Sequence, residues 1–373
     1  MRGGRNANTG TAELGRLDFL ALSALCMDPL GSYQRLAHLA RISTQTLKRR
    51  MIALSDASVL LRVGARIGYS ALGLQTLPVL ASVPLSKVHT VEKACDLHPY
   101  TRYRVRCLGS TNGLFMIFAI PIGTEFQLIE FFDELKSMEF VNDYKILHTT
   151  AEPEYRNPDL RTYDAWSDSW KFKTEKWMQS LDKDREDLQQ FAPSLLTKLD
   201  VRDLKLLRLL TEDARKPQKL LSKELHVPEY HVSRRLKFIF ENGIIPSCEV
   251  FLGRKLFRNA PGALFEVSCD LATTRAMATG LKALPFQASL FPTSEGFLLF
   301  AGLPTPLFTD IGSVILDRSR TSNLMWTDYD TSMRYYFDES SYVERSGQWK
   351  ADGEFVIGEP LSTLRGHMVK KNG

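Results

Sequence analysis

The stretch VPEYHVSRRLKFIFENGII, from Val227 to Ile245, decides the reading of the whole chain. Val232, Leu236, Ile239 and Phe240 fall at i, i+4, i+7 and i+8, on one side of a helix. Ser233, Arg234, Arg235 and Lys237 fall on the other side. Pro228 pre-sets φ for a helix start, and Glu229 suits its positive end. Gly243 supplies the left-handed residue that stops it. Upstream, ISTQTLKRRMIALSDASVL (Ile42 to Leu60) says nearly the same thing. Leu47, Met51 and Leu54 form the apolar side, and Ser43 supplies a capping hydroxyl. Lys48-Arg49-Arg50 matches Ser233-Arg234-Arg235, and Val59-Leu60 matches Ile244-Ile245 at the same spacing. Ser58 stands where the second copy has Gly243, which makes a weaker stop.

Working outward, two more apolar helical patterns precede each copy. Leu17-Asp18 and Leu199-Asp200 open the first, and SYQRLAHLARI and PQKLLSKELHV make the second. Strand-like runs follow each trio, VLLRVGARIGY and IIPSCEVFLG, enough for a small β-wing. Then comes a second repeating pattern, strand, helix, strand, strand, helix, strand. It runs from TLPVLASVPL to VNDYKILHTT and from ALFEVSCDLA to SNLMWTDYDTSMRYY, with NGLFMIFAIP echoed by EGFLLFAGLP. That βαββαβ order is ferredoxin-like. The expected class is α+β, with two winged helix-turn-helix domains and two ferredoxin-like domains in tandem. The expected boundaries are 14–75 and 76–150, a charged and aromatic linker at 151–197, then 198–258 and 262–338, and a tail at 339–373.

Composition bounds the partners. The 373 residues are 44% hydrophobic and 24% charged, with a formal charge of +5. That is ordinary globular composition, so an anionic partner must be met by local patches. Five cysteines without a CxxC pair and seven scattered histidines argue against a disulfide framework or a zinc site. The opening MRGGRNANTG has no apolar core, and no run approaches membrane-spanning length. The expectation is a cytoplasmic protein with no membrane partner, cofactor or metal.

A helix-turn-helix sends the start of its third helix into the major groove. Polar residues there would read bases: Ser43, Thr44, Gln45, Thr46 and Lys48 in the first copy, and Glu229, Tyr230, His231 and Ser233 in the second. Arg49, Arg50, Arg234, Arg235 and Lys237 are placed for phosphates. The alternative is that each arginine pair is a solvated face. Two registered copies favour double-stranded DNA as the partner. Arg102, Arg104 and Arg106 alternate along TRYRVRCLG and share one strand face, with Tyr103, Val105 and Cys107 on the other, under the helices. The row suits an anionic effector, or salt bridges to acids of the other half. Tyr163, Trp166, Trp170, Phe172 and Trp177 suit packing against a neighbouring domain better than base stacking. No GxSxG, Walker or GxGxxG pattern is present, and the chain reads as a non-enzyme.

The residues KLDVRDLKLLRLLTEDARKPQKLLSKELHVPEYHVSRRLKFIFENGII resemble the winged helix of the Lrp/AsnC transcription regulators. The family pattern is matched at Leu199, Asp200, Asp203, Leu207, Ala214-Arg215, Arg234-Arg235-Leu236 and Gly243-Ile244. The βαββαβ units resemble that family's effector-binding and oligomerisation (RAM) domain. The resemblance covers most of 14–150 and 195–338. It departs in that both parts are doubled, as in tandem forms that resemble archaeal members, and in Ser58. It implies a sequence-specific regulator with an amino-acid-like or anionic effector held near Gly109, Asn112 and Gly113. It further implies an internal pseudo-dimer whose two sheets pack face to face, with homo-oligomerisation beyond it. The doubled architecture is also similar to the siroheme decarboxylases, through LLRVGARIGYSALGLQTLPVLASVP. That alternative implies an arginine row holding tetrapyrrole carboxylates, with His98 or His148 as proton donor.

Overall fold

In the computed structural model, residues 14–364 are described, except 165, 166, 168, 183–185, 254, 255, 257–260 and 363. The fold is mixed α+β. The chain opens with helices α1 (Arg16–Met27), α2 (Tyr33–Ala40) and α3 (Thr44–Asp56), then strand β1 (Leu60–Arg66). Strand β2 (Leu74–Ser82), helix α4 (Val88–Leu97), strands β3 (Thr101–Gly109) and β4 (Gly113–Pro121), helix α5 (Glu125–Ser137) and strand β5 (Asp143–Ile146) follow. Next come β6 (Glu154–Arg156), the hairpin β7 (Tyr163–Asp164) and β8 (Ser169–Trp170), and α6 (Thr174–Leu181).

The second trio is α7 (Val201–Glu212), α8 (Gln218–Leu225) and α9 (Glu229–Glu241), followed by β9 (Ser247–Leu252). Each helix has the same length as its counterpart in the first trio: 12, 8 and 13 residues. One constant spacing carries Gly15 onto Asp200, Asp18 onto Asp203, Arg50 onto Arg235 and Ser58 onto Gly243. The match of Leu17-Asp18 to Leu199-Asp200 is therefore out of register. Both Asp18 and Asp203 sit at the third helical position and accept the N–H three residues back, from Gly15 and Asp200, at 2.9 Å. That capping role fixes the register. Ser58 adopts φ 55°, the left-handed conformation that Gly243 takes at φ 66°.

Strand β10 (Gly262–Ser268), helix α10 (Leu271–Leu281), β11 (Ala288–Thr293), β12 (Gly296–Gly302), α11 (Thr305–Asp317) and β13 (Thr321–Arg334) complete a second α/β set. The sheet order is β5-β2-β4-β3-β13-β10-β12-β11-β6. Each half thus runs fourth, first, third, second strand. The expected two stacked sheets are instead one, because the long β13 leaves β10 and runs on along β3 to Arg334. The sheet also closes. Thr149 bridges to Thr293, the Thr150 N–H donates to Pro292 O at 3.0 Å, and the Ser294 N–H donates to His148 O at 3.2 Å. The run from β5 to β6 therefore passes from the edge of β2 to that of β11, completing a barrel. Its interior is an apolar cluster including Val105, Phe115, Leu264, Leu298 and Phe300. Phe115 of β4 and Phe300 of β12 lie four strands apart in the order, yet their rings are 5.8 Å apart across the lumen.

The stretch read as a linker and the stretch read as a tail fold into the same motif. Tyr163 pairs with Trp170 across β7–β8, and Tyr342 with Trp349 across β14 (Tyr342–Val343) and β15 (Gln348–Trp349). A helical segment follows each, α6 and the π-helical Glu354–Gly358. The first hairpin packs on α1, where Phe19 meets Tyr163 at 5.6 Å. Trp177 is buried and donates to Gly280 O at 2.9 Å, and Trp349 donates to Leu72 O at 2.8 Å. The described aromatics of the first stretch are packing groups; Trp166 lies outside the described residues. Among the described residues no helix is long and apolar enough to cross a membrane.

Candidate nucleic-acid interface

The two third helices present different surfaces. On α9, Glu229, Tyr230, Ser233, Arg234 and Lys237 are exposed and His231 is half-buried. The Tyr230 and His231 rings lie tilted by 32° with centroids 4.3 Å apart, and Arg234 Nη2 lies 3.4 Å from His231 Nδ1. Lys237 reaches Glu241 at 3.7 Å. On α3, Gln45, Lys48 and Arg49 are exposed and Thr44 is half-buried. Ser43 and Thr46 are occupied with each other: the Ser43 hydroxyl accepts the Thr46 N–H at 3.0 Å and donates to its Oγ1 at 2.9 Å. Lys48 lies 5.4 Å from the Tyr33 ring.

Arg50 and Arg235, expected at phosphates, turn inward. Arg235 forms a two-pronged pair with Asp203 and donates to Lys198 O at 3.2 Å. Arg50 lies 3.7 Å from Asp18. Each acid is buried at its capping position, and a buried carboxylate requires a cation. The second arginine of each helix therefore ties the third helix to the first. The cations left facing outward are Lys48 and Arg49 in one unit and Arg234 and Lys237 in the other. A groove of about 580 Å³ lies beside α9, lined by residues that include Lys198, Asp200, Arg202, His226, His231 and Arg234.

The expected separate wings are a single shared ribbon. Strand β1 pairs antiparallel with β9, with Gly64 opposite Glu249. Arg215 of the second unit donates to Pro29 O at 2.7 Å and Gly31 O at 2.9 Å in the first. Arg62 donates to Thr211 O. Beneath the ribbon, Glu249 is only 3% exposed and meets Arg66, Gln287 and, at 3.7 Å, Arg334. Burial alone would lower the Arg334 pKa, but Glu249 together with the neighbouring Tyr103, Tyr329 and Tyr155 more than offsets it and the shift is upward. The two helix trios are thus fixed to each other and to the barrel.

The arginine row lies the other way up from the expectation. Tyr103, Val105 and Cys107 face the barrel interior, and the arginines lie under α4. Helix α4 meets them with Glu92 and Asp96, one turn apart on its inner face. Arg104 bonds Asp96 at 2.6 and 3.1 Å, and Arg106 bonds Glu92 at 2.8 and 2.7 Å. Burial would raise the Glu92 carboxyl, but the Arg106 hydrogen bonds and both guanidinium charges hold it below its ordinary value. The acids come from the same half, not the other. Arg102 is buried and donates to Pro99 O and Thr101 O. The glycine loop is closed: Asn112 Oδ1 accepts the Gly109 N–H at 3.0 Å, and a Cβ on Gly113 would stand 2.3 Å from Ala81 O. His98 is buried edge-on to Phe118 and Phe131, and burial, with Arg102 nearby, pushes its pKa down to about 3. It is neutral and structural. His148 lies beside Glu125, at 3.5 Å, on an open cleft of about 370 Å³.

No family model matches the chain, and no curated protein matches it. Among solved structures it is similar to the siroheme decarboxylase NirDL, over 94% of this chain and 100% of that one, at 15% identity and TM-score 0.51. The same enzyme in co-complex with an iron-uroporphyrin III analogue gives 0.52. It is also similar to E. coli AsnC over 39% of this chain and 98% of that one, at 14% identity and TM-score 0.32. The exclusion of an enzyme, drawn from the missing motifs, does not stand, since a protein with this arrangement over its full length is one. Catalytic groups in such a fold need no short linear pattern. At this identity the likeness to the siroheme decarboxylase establishes a shared fold.

Proposed function

We propose that this chain is a DNA-binding regulator of Lrp/AsnC type, a tandem duplication whose two heads sit on an internal pseudo-dimer. Its units are bounded as the sequence reading has them, at 14–75, 76–150, 198–258 and 262–338. The observation that carries the reading is the pair of matched third helices, each tied inward by Arg50 or Arg235 and each exposing a cation one residue earlier, Arg49 or Arg234. Bases would be read by Gln45 and Lys48 on one head, and by Tyr230, His231 and Ser233 on the other. The target is then an asymmetric site. Fluorescence anisotropy across a salt series tests this, with Arg49→Ala and Arg234→Ala beside the parent chain. Removing one phosphate-binding cation should flatten the log–log salt slope by about 0.9. A chain that binds no duplex even at low salt sinks the reading.

A second reading, decarboxylation of a siroheme-like tetrapyrrole, is supported by the likeness over the full chain length. In this chain Arg104 and Arg106 are already neutralised and His98 is neutral and sealed, which leaves His148 as the accessible histidine of the pair considered. Visible absorption of the chain titrated with an iron tetrapyrrole decides it. A shifted Soret band with saturable binding supports this reading, and an unchanged free-ligand spectrum removes it.

A further inference from the structure

The groove beside α9 lies between the start of α7, the turn after α8 and the first half of α9. Its acids are occupied. Asp203 Oδ2 accepts the Asp200 N–H and Asp200 Oδ1 accepts the Asp203 N–H, both at 2.9 Å, while Arg235 covers Asp203. Three cations remain around the hollow, Lys198, Arg202 and Arg234, against the one carboxylate that no cation covers, Asp200, so positive charge is in excess. Among the described residues none of the three forms an ion pair. Unpaired like charges around one concavity focus a positive field there. His231 stands among them and is hydrogen-bonded to Arg234. The volume, about 580 Å³, falls in the range of small-ligand sites.

The first unit keeps the counterpart of Arg234, Arg49, but its sequence breaks the rest of this arrangement. At the spacing that carries Arg50 onto Arg235, Lys198 corresponds to Glu13, Arg202 to Leu17 and His231 to Thr46. A cation is thus replaced by an acid, and a second cation by an apolar side chain. Thr46 is taken up by Ser43, whereas Pro228 gives α9 no side-chain cap. Arginine forks match phosphate oxygens in pairs, and a lysine adds a mobile point charge.

We infer that this groove is a phosphate-binding site built only into the second unit, which makes that unit the anchoring head. The inference deepens the DNA-binding reading, on which it rests for the source of the phosphate. The same chemistry would take a phosphodiester of the duplex or the phosphoryl group of a small molecule.

The test uses the full chain, the variant Lys198→Ala/Arg202→Ala, and Lys48→Ala/Arg49→Ala as the matched change in the first unit. Lys198 and Arg202 are exposed, so the variant should fold. Calorimetric titration with pyrophosphate at constant ionic strength is run beside duplex binding across a salt series. We expect pyrophosphate to bind the parent, to lose tenfold or more in the groove variant, and to be unaffected by the first-unit variant. The groove variant should flatten the duplex salt slope by about 2, from two phosphates at about 0.9 each. Pyrophosphate binding abolished in the groove variant, in a chain that binds no duplex, keeps the site with a small ligand as its source and sinks the DNA reading. Duplex binding with slope and pyrophosphate affinity unchanged in the groove variant overturns the site and leaves the DNA reading standing. Pyrophosphate that fails to bind the parent, or weakens equally in both variants, also overturns the site.

Discussion

At the scale of single residues, two buried side chains make strong predictions. The Asp203 carboxylate caps α7 and holds Arg235 at once. Asp203→Ala removes both roles and should cost roughly 2–3 kcal/mol, read from the urea midpoint. A change under about 0.5 kcal/mol, the scatter of ordinary surface substitutions, would show that the pair holds nothing. His98 is neutral in the fold, with its pKa pushed from 6.5 to about 3 by burial, then by Arg102. The unfolded chain takes up that proton below pH 6.5, and the fold does not until about pH 3. The stability it contributes is therefore present above pH 6.5 and disappears progressively down to about pH 3. The slope is up to about 1.4 kcal/mol per pH unit. His98→Gln keeps an acceptor for the Tyr100 N–H and should show a shallower acid loss across that window. Parallel stability–pH curves for the two proteins would refute the assignment.

At the scale of elements, the two trios are the same construction with different end chemistry. Helix α3 ends on Ser58 in a conformation that glycine adopts without cost, and its counterpart is Gly243. A left-handed L-residue carries a penalty of roughly 1 kcal/mol. Ser58→Gly should therefore stabilise the chain by about 0.5–1 kcal/mol, seen as a raised thermal midpoint. Ser58 is exposed, so the change removes no packing and the backbone term is read cleanly. A thermal midpoint that stays put or falls would show that the left-handed residue carries no strain. At the other end of α3, the Ser43 cap takes up a hydroxyl that was expected to read bases. An element's own needs come before its surface, so a polar residue at a helix start reads DNA only if the cap does not claim it.

At the scale of the whole molecule, the shared ribbon over the closed barrel sets the relation between the heads. Glu249 sits where β1 meets β9 and balances Arg66 and Arg334. Glu249→Ala leaves two half-buried guanidinium groups without this counter-charge. The expected cost is about 3–5 kcal/mol of stability by chemical denaturation. If the heads are coupled through this ribbon, duplex binding should weaken before the barrel unfolds. Loss of binding only in step with global unfolding would show that the ribbon does not transmit head geometry.

Much of this is legible along the chain. The 3.6 and 2.0 periods mark the helices and strands, and one spacing sets Lys48-Arg49-Arg50 against Ser233-Arg234-Arg235. The α+β class and the βαββαβ order follow from those patterns because they depend on local alternation and on turn chemistry. A further repeat is present in the chain but escapes such a reading: Tyr163, Ser167, Trp170 and Lys171 against Tyr342, Ser346, Trp349 and Lys350. It is short and aperiodic, so no period exposes it. What only the tertiary structure decided is where partners come from. Arg50 and Arg235 look as exposed as their neighbours until the capping acid of another helix is placed beneath them. The arginine row is open to the wrong face because alternation separates two faces of a strand without saying which one the helices cover. The barrel closes, and the wings merge, through pairings between strands far apart in sequence, and no local pattern carries that information.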